Sequence, residues 1–172
     1  MTTTTFTVGA ARTYPTPQAA WNALPSTIAS GDTYIIEIQK GAYGALNCFD
    51  SVKTINGRVI VRPETGAAWH EDATPVTRFD ASRGVSLSAS NFGVVGITTN
   101  VTLQGLMLKN GGVTGLSCGQ LVFANATIGG VLVDRCIFHS DDGGPHVKGS
   151  TDASFKITNS LLINNSSGTP VA

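Results

Sequence analysis

Three lines of the sequence carry one alternation of apolar and polar positions. They are Val101-Thr-Leu-Gln-Gly-Leu-Met-Leu-Lys-Asn110, Val131-Leu-Val-Asp-Arg-Cys-Ile-Phe-His-Ser140 and Phe155-Lys-Ile-Thr-Asn-Ser-Leu-Leu-Ile-Asn164. They begin 30 and then 24 residues apart. Each reads apolar-x-apolar, breaks for two residues, resumes apolar-x-apolar and ends at a polar corner, Asn110, Ser140 or Asn164. Alternation at period two predicts strands with one buried face. Strands and corners recurring at a fixed period of roughly 20–50 residues predict a β-solenoid.

Laying the lines in register assigns their faces. Val101, Leu103, Leu106 and Leu108 point inward, as do Val131, Val133, Cys136 and Phe138, then Phe155, Ile157, Ser160 and Leu162. Stacked strands lie about 4.8 Å apart, so equivalent residues form ladders, each buried apolar side chain stabilising by about 1.5–3 kcal/mol. The outward positions are unusual: Met107, Ile137 and Leu161 share one register, and Leu132 and Ile163 add to the apolar outer surface. Such a stripe needs a cover. Either a loop at 64–75 or 111–129 folds over it, or it is an interface with another subunit or partner.

Upstream, Thr16-Pro-Gln-Ala-Ala-Trp-Asn-Ala-Leu24 predicts a helix. Thr16 can cap it, Pro17 suits its first position, and Ala20, Trp21 and Leu24 share one face before Pro25 stops it. Set before the first strands, this helix can cover the open end of a solenoid. Ile36 and Ile38 alternate with polar residues up to a corner at Gly41, Gly57–Pro63 predicts another strand, and Val85-Ser-Leu-Ser alternates again. Residues 1–6 form a Thr-rich arm with nothing of their own to pack on, and 7–172 form a single domain.

The segment Tyr14 to Tyr43, with "Tyr-Pro-Thr-Pro-Gln-Ala-Ala" and "Ile-Glu-Ile-Gln-Lys-Gly-Ala-Tyr", resembles the opening of right-handed parallel β-helix proteins of the pectin lyase-like superfamily. Val101-Thr-Leu-Gln-Gly-Leu-Met-Leu-Lys-Asn-Gly111 is similar to that superfamily's interior coils. The expected fold is all-β: a short right-handed parallel β-helix of about five or six coils with an N-terminal capping helix. Such a fold hosts many functions and selects none.

Composition narrows the classes. The 172 residues carry 11 basic and 11 acidic side chains without a basic run, which disfavours a nucleic-acid partner. No apolar run reaches the roughly 18 residues of a membrane span, and no Sec-type signal is legible at the N-terminus. Cys48, Cys118 and Cys136 are odd in number and irregularly spaced, so a disulfide framework is not expected and a reducing compartment is. Cys136, on an inward position, reads as a small core hydrophobe.

The strongest catalytic candidate is His139-Ser-Asp-Asp-Gly-Gly-Pro-His146. Adjacent Asp141 and Asp142 followed by His146 resemble polygalacturonases, whose carboxylates act as acid and base, but that family's Asn-Thr-Asp, Gly-His-Gly and Arg-Ile-Lys elements are missing, and a solvated turn explains the segment as well. Asp134 and Arg135 alone are too few for a pectate lyase-like site. His70-Glu71-Asp72 are consecutive and poorly placed to converge on one metal ion. No catalytic, cofactor or metal residue is therefore assigned.

These observations set an expectation of a non-enzymatic structural protein. Because phage particles use this superfamily, the resemblance implies a bacteriophage capsid decoration or cement protein, or a tail-associated component. It would be made in the host cytoplasm and be resident in the virion, bound to the major capsid or another virion protein and trimeric. The competing expectation is a polysaccharide-binding or polysaccharide-cleaving β-helix, such as a reduced lyase, hydrolase or tailspike-like depolymerase. The interface residues expected on the first reading are Met107, Ile137, Leu161, Leu132 and Ile163.

Overall fold

A computed structural model describes residues 1–48, 53–71, 80–89, 95–97, 99–110, 121–123, 129–140, 147–148 and 155–164. The alternating segments form parallel strands that stack by sequence order, one turn of chain above the last. The largest sheet runs, neighbour to neighbour, Thr3–Val8, Thr33–Ile38, Arg58–Pro63, Val101–Gln104, Val131–Asp134 and Phe155–Thr158. A second sheet orders Gly41–Gly44, Val85–Ala89, Met107–Asn110, Ile137–Ser140 and Leu161–Asn164. A third orders Leu46–Asn47, Val95–Ile97, Leu121–Phe123 and Val147–Lys148. All are parallel, the arrangement of a parallel β-helix.

The three aligned lines are physical neighbours. Leu103 lies opposite Val133 and Val133 opposite Ile157, while Met107 lies opposite Ile137 and Ile137 opposite Leu161. The inward residues of the first two lines are fully or nearly fully buried in one core with Ile36, Ile38, Val59, Val61 and Leu87. Burial there pushes the Cys136 thiol up to about 12 and raises that of Cys48, so both behave as small hydrophobes. The third line departs from expectation: Phe155 and Leu162 are exposed and Ile157 and Ser160 half-buried. Among the described residues its strands are the last of their sheets, with a strand neighbour on one side.

The lines pass from the first sheet to the second through one tight corner. Gly105, Arg135 and Asn159 occupy it in turn, with φ of 66°, 53° and 51°. A left-handed residue costs most L-amino acids roughly 1–2 kcal/mol, with Gly and Asn the usual exceptions, so the corner carries its strain at Arg135.

The helix forms at Pro17–Ala23, where the Thr16 hydroxyl accepts from the Ala19 amide at 3.1 Å. Ala20, Trp21 and Leu24 are buried, and the helix packs on the Thr3–Val8, Thr33–Ile38 and Leu46–Asn47 strands. Lys53 donates to the Asn22 and Leu24 carbonyls at 3.2 and 2.7 Å, satisfying its C-terminal end. The expected arm is corrected. Thr3–Val8 is the edge strand of the largest sheet, pairing residue for residue with Thr33–Ile38. The β-branched threonines suit that pleated position, and the Phe6 ring packs on Tyr14 at 5.0 Å and Tyr34 at 5.8 Å.

Candidate functional site

The outward stripe leads to the site through its cover. Met107 and Ile137 are both 0% exposed, because Trp69 lies on them and Ile163 packs alongside. The expectation that Met107 and Ile137 offer surface to a partner is corrected: their own chain fills that place. Of the other expected interface residues, Leu132 and Ile163 are half-buried, while Leu161 is 40% exposed and the adjacent Leu162 is 62% exposed. The cover comes from the 64–71 part of the first loop named above, with 111–120 outside the described residues.

That loop is fastened at both ends. At its start the Glu64 carboxylate takes two contacts from the Arg12 guanidinium, 2.8 and 2.9 Å, and the Glu64 amide donates to the Ile38 carbonyl at 2.8 Å. Further along, Trp69–Glu71 forms a short 3-10 turn in which Glu71 accepts from the Ala68 amide at 3.2 Å. The Trp69 indole N–H donates to the Arg135 carbonyl at 2.6 Å. His70 is thereby set against Gly105, where a Cβ would lie 3.1 Å from His70 Cε1. Absence of a side chain at Gly105 is what permits this approach.

Between loop and sheet lies a cavity of about 180 Å³ whose polar lining includes Arg62, Glu64, His70, Glu71, Gln104 and Arg135. Its sheet wall belongs to an outward ladder in which Thr7 pairs with Glu37, Glu37 with Arg62, Gln104 with Asp134 and Asp134 with Thr158. Arg62 contacts Glu37 at 3.0 Å and Arg135 contacts Asp134 at 2.8 Å. Asp134 also accepts from the Thr158 hydroxyl and the Asn159 amide, each at 2.9 Å. The Asn159 hydrogen bond, with those from Arg135 and Thr158, holds the Asp134 carboxyl below the usual range against an opposing effect of burial.

Two buried atoms in this lining, Arg62 Nε and His70 Nδ1, have no hydrogen-bond partner among the described residues. Buried polar groups are normally satisfied, so such a pair marks a place for ligand atoms or water. Burial lowers the His70 pKa first and the Arg135 charge second, with Glu71 and Asp134 pulling the other way. His70 is therefore neutral near pH 7, with one ring nitrogen able to accept a proton and the other to donate a hydrogen bond. The arrangement can hold a polar, hydroxyl-bearing group and take a proton from it.

The sequence candidates fare unevenly. His70 and Glu71 both line the cavity, as hydrogen-bonding groups; Asp72 lies outside the described residues. His139 is buried on the Ile137–Ser140 strand, whereas Asp141, Asp142 and His146 lie outside the described residues. Among the described residues, no three His, Cys, Asp or Glu side chains gather as a metal site. Sequence reasoning missed Arg62 and Gln104 and set Arg135 aside. The available signal was the shared outward rung of Gln104 and Asp134 in the aligned lines, beside a loop carrying His and Glu.

No protein-family model matches the chain, and no curated protein matches it by sequence. Two solved structures of the pectin methylesterase from Aspergillus niger are similar. The penultimately deglycosylated form has a TM-score of 0.49 at 16% identity, and the deglycosylated form 0.48 at 15%. Each comparison covers 95% of this chain and 68% of the other. Both structures are of an enzyme, and the expectation of a non-enzymatic chain is corrected on that finding. At this identity the likeness concerns the fold, and the chemistry of this chain rests on its own residues.

Proposed function

We propose that the chain is a polysaccharide-binding β-helix that engages a sugar unit in the cleft under loop 64–71, with neutral His70 hydrogen-bonding to a sugar hydroxyl. The observation that carries this reading is the pair of buried, unpartnered polar atoms, Arg62 Nε and His70 Nδ1, in the lining of one cavity. Sugar hydroxyls donate and accept at once, which suits a lining that mixes guanidinium, imidazole, amide and carboxylate groups. Pro63 and Ala68 offer the apolar patch that a sugar's C–H face needs. In this reading the scaffold is a right-handed solenoid of about five or six coils with helix Pro17–Ala23 capping its N-terminal end.

The test is affinity electrophoresis of the purified chain against a panel of plant and bacterial polysaccharides, with reducing-end release measured in parallel. Retardation by at least one polysaccharide is expected, lost in His70→Ala and Gln104→Ala variants that keep the wild-type melting curve. A chain that is retarded by none of them and releases no reducing ends would sink the reading.

A second reading, self-association, is favoured by the exposed Leu161 and Leu162 on the last strand of the second sheet. It keeps part of the expected interface and drops Met107 and Ile137. Light scattering tests it: a wild-type oligomer that a folded Leu161→Ser, Leu162→Ser variant reduces to monomer supports it, and a monomeric wild type removes it.

A further inference from the structure

We infer that the cleft selects a neutral, hydroxyl-rich sugar unit over a uronate; the inference rests on the carbohydrate reading above and names the substrate class of the same site. At first sight two guanidiniums beside a histidine suggest a seat for an anion. The pairing pattern argues otherwise. Arg62 is already engaged by Glu37 at 3.0 Å, Arg135 by Asp134 at 2.8 Å, and Arg12 holds Glu64 at 2.8 Å. Each positive charge is matched by its own carboxylate, and Glu71, whose contact is with a backbone amide, remains over.

The three ion pairs in and beside the cleft therefore cancel, and Glu71 leaves one carboxylate in excess. Among the described residues a uronate carboxylate entering there meets no uncompensated guanidinium, and it approaches the lining carboxylates Glu64 and Glu71 as a like charge. Guanidiniums paired through one edge still have donors to spare, since each carries five N–H groups. Arg62 Nε is the visible instance. What the cleft offers is spare hydrogen bonding without spare charge. A hydroxyl exploits the first and is indifferent to the second.

The experiment is titration calorimetry of the full chain with matched oligosaccharide pairs that differ only at C6: galactose and galacturonate, glucose and glucuronate, mannose and mannuronate oligomers. Each is measured at about 20 and about 300 mM salt, spanning strong and weak screening. The neutral member of one pair is expected to bind at least about ten-fold more tightly, with under two-fold change across salt. Tighter binding of the uronate member, weakening with salt, overturns the inference and leaves the carbohydrate reading standing. Failure of every oligomer overturns both. In Glu71→Gln, whose amide oxygen can still accept from the Ala68 amide, the ratio of uronate to neutral affinity should rise several-fold. An unchanged ratio would remove Glu71 as the discriminating charge.

Discussion

The Trp69 indole N–H donates to the carbonyl of Arg135 at 2.6 Å, across 66 residues of chain. This bond and the burial of the same ring over Met107 and Ile137 fasten the loop to the outside of the second sheet. Both walls of the cleft thus depend on one side chain, since Arg135 and His70 flank it in space and in sequence respectively.

Replacement of Trp69 separates its two contributions. Trp69→Phe keeps most of the ring but loses the hydrogen bond, and should cost about 0.5–1.5 kcal/mol. Trp69→Ala also uncovers Met107 and Ile137 and should cost about 3–5 kcal/mol. Urea midpoints measure both. Equal losses in the two variants would mean that the hydrogen bond, not burial, holds the loop.

Acidification should destabilise the protein through His70. Its folded-state pKa lies below the ordinary 6.5, so the unfolded chain binds the proton more readily. Stability from this group is fully present above about 6.5 and is lost as pH falls toward the folded pKa. Asp134, also held low, adds a second loss in the same direction below its ordinary 3.8. Chemical denaturation across this range should show a slope between the two His70 values that His70→Gln flattens. A slope unaffected by that change would place the proton elsewhere.

Removal of the Asp134 carboxylate should be felt at both ends of the cleft. Asp134→Ala leaves Arg135, Thr158 and Asn159 without the acceptor they share, and frees a guanidinium beside His70. These groups are partly exposed, so the stability loss should be modest, about 1–2 kcal/mol. The larger consequence is electrostatic. An unpaired Arg135 cation should depress the His70 pKa further, which a proton-NMR titration of the imidazole would detect as a downward shift. An upward shift would contradict the arrangement.

The scaffold could be read from sequence because it repeats. Leu103, Val133 and Ile157 recur at one position of three lines, and a one-residue slip would expose every one of them. The helix was legible for a different reason: Thr16 and Pro17 are local start signals that need no tertiary context. The cleft was not legible. Residues 64–71 carry no periodicity, and what places them is the Trp69 contact with a strand far along the chain. The Thr-rich start misled for the same reason, since the strand it pairs with lies 30 residues later.

Gly105 makes the sharpest prediction, because a second glycine in the neighbouring loop supplies its control. Both adopt left-handed backbone, φ 66° at Gly105 and 80° at Gly66, so an alanine at either carries the same conformational penalty, roughly 1–2 kcal/mol. Their surroundings differ. A Cβ at Gly66 meets nothing within 4 Å, whereas at Gly105 it meets His70 Cε1 at 3.1 Å, Ala68 Cβ at 3.3 Å and Pro63 Cδ at 3.4 Å. Contacts that close displace the loop by a few tenths of an ångström, and His70 moves with it. Gly66→Ala should therefore lower the melting temperature and leave sugar affinity near that of the wild type. Gly105→Ala should lower both, with a shifted imidazole resonance reporting the change at His70. Equal effects of the two substitutions on affinity would show that the loop does not set the His70 position, and the cleft would lose its proposed role.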